Sequence, residues 1–112
     1  MSSSTDTITP PQTAVVKPGQ KPKQQPQYHV ILLDDDDHSY EYVIEMLGKL
    51  FRHPLPLAYQ MAVEVDTSGR VIVDTTTLER AELKRDQIHA YGSDQRIPRC
   101  KGSMSAILEP TT

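Results

Sequence analysis

The hydrophobic positions of this chain begin in earnest at Tyr28 and follow two rhythms from there. Val30-Ile31-Leu32-Leu33 is a short continuous apolar run bounded by charge, the pattern of a buried strand. It stops at four aspartates, Asp34 to Asp37. Beyond them Tyr40, Val43, Ile44, Leu47, Leu50 and Phe51 recur at helical spacing as one stripe, with Asp37 or Ser39 available to cap the first turn. An acidic turn therefore joins a buried strand to an amphipathic helix. Carboxylates at such a junction satisfy free backbone N–H groups and suit the positive end of the helix dipole. On composition alone, the four aspartates read first as a solvated turn and cap.

Arg52-His53-Pro54-Leu55-Pro56 breaks the stripe, and Pro56 suits the first turn of a second, short helix with Leu57, Ala58, Met61, Ala62 and Val65 on one side. Asp66-Thr67-Ser68-Gly69 has turn chemistry, and Val71-Ile72-Val73 reads as a second strand. Thr76 and Glu79 have the offset of a capping box and open a charged third helix, Leu78 to Tyr91, with Ala81, Ile88 and Tyr91 turned inward and Gly92 as its stop. A polar, irregular stretch from Ser93 to Ser103 precedes a last strand, Met104 to Leu108. The expected order is β-α-α-β-α-β: an α+β fold, a small three-stranded antiparallel sheet packed with three helices.

Residues 1–27 belong to neither rhythm. They are rich in Ser, Thr, Gln and Pro and are expected to form a disordered tail, leaving residues 28–112 as the folded domain. Charge sharpens the division. The tail holds three lysines and one aspartate, so a net charge of −3 over 112 residues leaves −5 on the body. An acidic body argues against nucleic acid as partner, since phosphate binding needs a basic face. The single Cys100 has no partner for an internal disulfide, no segment resembles a signal peptide and no run is long enough to span a bilayer, so a cytoplasmic monomer without membrane contact is expected.

Catalytic chemistry has no visible carrier. No GxSxG, P-loop or Gly-rich dinucleotide turn occurs, and Cys100 has no evident partner base in the sequence. Asp34 to His38 offers oxygen and nitrogen ligands, yet the sixth position of a calcium loop starting at Asp34 is not Gly, and His29, His38, His53 and His89 are scattered rather than zinc-spaced. Neither a metal nor a cofactor is expected, and a small metal-dependent enzyme using the Asp34–His38 cluster stands as the rival from another class.

Several strings together resemble one family. Tyr28-x-Val-Ile-Leu-x-Asp34-Asp35-Asp36, then Glu41-Tyr42-Val43-Ile44, then Ala58, Gln60, Val65 and Gly69, then Glu79-x-Ala81-Glu82-x-Lys84 and finally Leu108-Glu109-Pro110 resemble the ClpS family, small adaptors of the ClpAP-type ATP-dependent protease. The likeness covers residues 28 to 110, with a short insertion before the last strand. It implies a non-enzymatic adaptor that holds protein substrates by a bulky N-terminal residue (Leu, Phe, Tyr or Trp) and delivers them to a ClpA- or ClpC-type AAA+ chaperone and the ClpP protease. By position, Asp34, Asp35 and Asp66 would bind the substrate α-amino group, while His38, Tyr40, Val43, Ala62, Val65 and Met104 would wall an apolar pocket. Glu79 and Lys84 would face the N-terminal domain of the chaperone, and the tail would serve delivery.

Within that resemblance the departures fall at the site. Asp34 stands where the family usually has Asn, and Asp66 where it has His. Both accept from an ammonium, but neither, when ionised, donates to a ligand carbonyl. Tyr40 replaces the usual gatekeeping methionine, and a large pocket methionine becomes Ala62 or a shifted Met61. A diverged regulator that docks on the chaperone without recognising N-terminal residues is the second reading.

Overall fold

A computed structural model describes residues 26–35, 37–98 and 100–112 of the chain. The expected tail falls almost wholly outside these residues. Six elements follow in the expected order: β1 (Gln27–Leu33), α1 (Tyr40–Phe51), α2 (Leu55–Ser68), β2 (Arg70–Thr77), α3 (Leu78–His89) and β3 (Ser105–Pro110). The strands form one antiparallel sheet in the order β2-β1-β3.

The unbroken apolar run of β1 is explained by its central place, because both of its edges are paired and its middle residues are shielded from solvent. Val30, Ile31 and Leu32 have no solvent exposure. Val30 and Leu32 join the core under the helices, while Ile31 pairs with Ile72 on one side and Ile107 on the other. That isoleucine row crosses the sheet as a set of cross-strand contacts. A bulge between Val30 and Ile31 leaves Val73 of β2 out of register, and the imidazole of His53 donates to its carbonyl at 2.7 Å.

Helix α1 starts where Ser39 caps it, its hydroxyl oxygen accepting from the Tyr42 N–H at 3.2 Å. It ends in an αL arrangement in which Arg52 N–H donates to the Gly48 carbonyl, and His53 N–H reaches the Leu47 carbonyl. The core-facing side is rotated from the expected stripe: Tyr42 and Met46 are buried with Val43 and Leu47, whereas Tyr40, Ile44, Leu50 and Phe51 are only half-buried. Spacing alone could not see that Tyr42 passes its hydroxyl out of the core to the Gly92 carbonyl, which lets the ring be buried.

Three local expectations are corrected. The second helix is not short; it runs 14 residues to Ser68, so Asp66 lies in its last turn, and Leu57 is exposed. Gly69, at φ +86°, ends it with its N–H on the Val65 carbonyl. No capping box opens α3, because Thr76 is still in β2 and Thr77 occupies the N-cap without a side-chain cap bond. The third helix stops at His89, before Tyr91, and Gly92 follows at φ +110°.

Candidate functional site

The hollow lies where the C-terminal end of β1 meets the first turn of α1 and the last turn of α2. Ten residues line it: Asp34, Asp35, His38, Ser39, Tyr40, Val43, Ala62, Val65, Asp66 and Met104. All nine residues expected from sequence at the amino-group and pocket positions are therefore brought to one cavity, and Ser39 is added. Val43, Ala62, Val65 and Met104 are buried and form its apolar part; Asp34, Asp35 and Asp66 are exposed and give it an acidic edge. Met61 is half-buried against the core and is not part of the lining, whereas Ala62 is.

The cavity is small, about 20 Å³, room for roughly one water-sized body. One cause is visible in the polar contacts. Tyr40 donates its hydroxyl to Asp66 Oδ2 at 2.7 Å, tying the start of α1 to the end of α2. The carboxylate that accepts this bond raises the Tyr40 pKa above its ordinary value of 10.0, with desolvation adding to the effect. The Tyr40 ring also meets Tyr59 edge-on, centroids 6.1 Å apart.

Asp35 is engaged differently. Its Oδ1 accepts from the Asp37 N–H at 3.0 Å and from His38 Nδ1 at 2.5 Å. The His38 side chain is only 3% exposed, and its other nitrogen, Nε2, lies 2.7 Å from the Gly102 carbonyl. Asp34 is anchored through its backbone, whose N–H donates to the Gly69 carbonyl at 3.0 Å.

The segment after α3, polar and irregular in sequence, is tied to the first turn of α1. Asp94, 1% exposed, accepts from the Ser39 N–H and the Ser39 hydroxyl, both at 2.7 Å, and from the Arg96 N–H at 3.0 Å and its guanidinium at 3.4 Å. Burial pushes this carboxyl up, but the donors from Ser39 and Arg96 outweigh it and hold the pKa at about 2. Arg96 continues to Glu45 at 2.7 Å. Cys100 does have an imidazole partner, contrary to expectation. Its Sγ lies 3.3 Å from His38 Nε2, donates to the Gly102 carbonyl at 3.2 Å and accepts from the Asp94 N–H at 3.1 Å. No spacing signal could have paired residues 62 positions apart.

Comparison with known proteins decides the family. The family model described as "ATP-dependent Clp protease adaptor protein ClpS" matches residues 23–98, more than half of the chain. The chain belongs to the ClpS family. It is 32% identical over 98 residues, 88% of this chain and 92% of the relative, to the ATP-dependent Clp protease adapter protein ClpS of Vibrio cholerae. Among solved structures it matches Agrobacterium tumefaciens ClpS2 bound to L-phenylalaninamide, with a TM-score of 0.67, 23% identity, and coverage of 78% of this chain and 99% of that one. That last likeness bears on the fold, which is ClpS-like.

The other expected features stand as follows. Glu79 is exposed in the first turn of α3. Lys84, one turn further, is half-buried, with Nζ 2.5 Å from the Leu50 carbonyl and 5.4 Å from the Phe51 ring centroid. Among the described residues no group of three or more His, Cys, Asp or Glu is arranged to hold a metal ion, which leaves the Asp34–His38 enzyme reading without support. Among them, too, no helix is long and apolar enough to cross a membrane.

Proposed function

We propose that this ClpS-family adaptor grips protein substrates by a bulky hydrophobic N-terminal residue and carries them to a ClpA- or ClpC-type AAA+ chaperone, for degradation by ClpP. The observation that carries the reading is the convergence of Asp34, Asp35 and Asp66 on the edge of one cavity whose deeper lining is apolar. An α-ammonium has three donors and a positive charge. Only a free N-terminus sets that charge beside a large apolar side chain, so an acidic mouth over an apolar hollow discriminates it from every internal residue. The bound L-phenylalaninamide named for the Agrobacterium protein is a ligand of this kind, with a free amine and an aromatic side chain.

His38, Tyr40, Val43, Ala62, Val65 and Met104 are the side chains that would surround the first residue, and the hollow has to widen for Leu or Phe to enter. Glu79 and Lys84 on α3 would meet the N-terminal domain of the chaperone, with residues 1–27 serving as the delivery arm. The carboxylates repel one another in the empty site and are relieved by a cation. Binding should therefore weaken with salt and with acetylation of the substrate amine.

A peptide array varying only the first residue, in free and acetylated forms, tests this. Free Leu, Phe, Tyr and Trp peptides should bind and their acetylated forms should not; equal affinity for both would falsify ammonium recognition. One observation favours a second reading, a regulator that docks on the chaperone without holding N-terminal residues: Asp66 is already taken by Tyr40 and the cavity is small. In that case no peptide on the array binds while the chaperone N-terminal domain still does.

A further inference from the structure

A second cavity of about 260 Å³ opens at the other end of α1, and its chemistry is opposite to that of the acidic hollow. Its lining includes the cations Arg52, Arg80 and Lys84, the hydroxyl residues Thr75 and Thr76, and a single acid, Asp74. Three cations to one carboxylate is unexpected in a chain of net charge −3. Asp74 is itself partly spent, since its Oδ1 accepts from the Thr75 N–H at 2.9 Å. Among the described residues neither Arg52 nor Arg80 forms an ion pair. Both residues are exposed and line the cavity, and each carries a planar fork of donors.

The walls are fixed. His53 is held by the Val73 carbonyl and stacks on Phe51 with ring planes 10° apart, while Lys84 is held against the Leu50 carbonyl. A pre-set wall reduces the ordering cost of binding. The backbone adds a separate observation. Arg52 sits at φ +58°, alone among the described non-glycine residues in having positive φ. A helix ending of this geometry favours Gly, and a side chain there carries strain of about 1 kcal/mol. Backbone strain of this sort clusters at active sites, ligand clamps and switch regions.

We infer that the cavity bounded by Arg52, Arg80, Lys84 and Thr75–Thr76 binds a small ligand through a phosphoryl group. Such a group brings close to two negative charges and three strong acceptor oxygens. Two guanidinium forks and hydroxyl donors match that demand, and the Lys84 ammonium, itself bonded to the Leu50 carbonyl, adds positive charge; a single carboxylate has only two oxygens and one charge. The cavity exceeds the volume of one phosphate, so the ligand has a second part, such as another phosphate or the body of an ester.

The test uses the full chain and inorganic diphosphate at constant ionic strength, followed by amide chemical shifts. Saturable shifts clustered at Arg52, Thr75, Thr76, Arg80 and Lys84 are expected. R80A and R52G should each weaken binding about tenfold or more, the loss typical of a charge-assisted hydrogen bond. Glycine accepts positive φ freely, so R52G should keep or raise the thermal midpoint, which separates a ligand contact from a structural one. R52K should recover only part of the affinity, keeping the charge without the fork. A triglutamate peptide should bind at least tenfold more weakly than diphosphate. Non-saturating or chain-wide shifts, equal binding of triglutamate, or R80A binding as the wild type would each overturn the inference.

Discussion

The Tyr40 hydroxyl donates to Asp66 Oδ2 at 2.7 Å, so the carboxylate that α2 brings to the edge of the acidic hollow is engaged within the protein itself. An incoming ammonium has to compete with a neutral donor already in place. Replacing Tyr40 with Phe removes the donor while keeping the ring and its edge contact with Tyr59. We expect Y40F to bind a free N-terminal Leu or Phe peptide about 2- to 10-fold more tightly, the range of one net hydrogen bond. Fluorescence anisotropy with a labelled peptide reads this directly; weaker binding would mean that the hydroxyl contacts the ligand instead.

Asp94 sets an acid limit on the fold. Its carboxyl titrates at about 2 in the folded chain, below the ordinary value of 3.8, so its stabilising effect is complete above about pH 4 and is lost as the pH falls through about 2. D94N should be less stable than the wild type at pH 7, by about 2 kcal/mol, because four donors lose a charged acceptor. Urea melts at pH 7 and pH 2 check the sign: the gap between the two proteins should close at the lower pH.

Ser39 and Asp94 act as one unit, since the same hydroxyl donates to Asp94 and accepts from the Tyr42 N–H. S39A alone should cost about 1 kcal/mol as a lost helix cap. In a double-mutant cycle with D94N the two losses should not add, and strict additivity would show that the cap and the loop are independent.

His38 links Asp35 to the segment carrying Cys100 and Gly102. H38A should release that segment from the pocket wall. Two readouts are expected to move together: alkylation of the single cysteine should accelerate several-fold, and the Gly102 amide should exchange faster. An unchanged alkylation rate would place the anchor of this segment elsewhere, with Asp94 the next choice.

How much of this was legible beforehand depends on the range of the interaction involved. The order of elements follows from local pattern, because β1 is apolar on both faces and α1 and α2 have clear starts and stops. The nine hollow-lining residues were found because the family resemblance supplied long-range register that periodicity lacks. What stayed hidden was set by tertiary contacts. Tyr42 is buried because the Gly92 carbonyl, 50 residues away, takes its hydroxyl, and Ser39 rather than Asp37 caps α1 because Asp94 holds it from 55 residues away. Thr76 and Glu79 had the right spacing for a capping box, but pairing with Tyr28 keeps Thr76 in the sheet.

The sheet order β2-β1-β3 puts the earliest strand in the middle and the final one at its side. During synthesis, Val30, Ile31 and Leu32 leave the ribosome with one flank unpaired until Ser105–Pro110 follows, nearly the length of the domain later. For that interval the greasiest strand is a template for any other extended chain, which makes newly made or C-terminally clipped copies the ones most prone to aggregate.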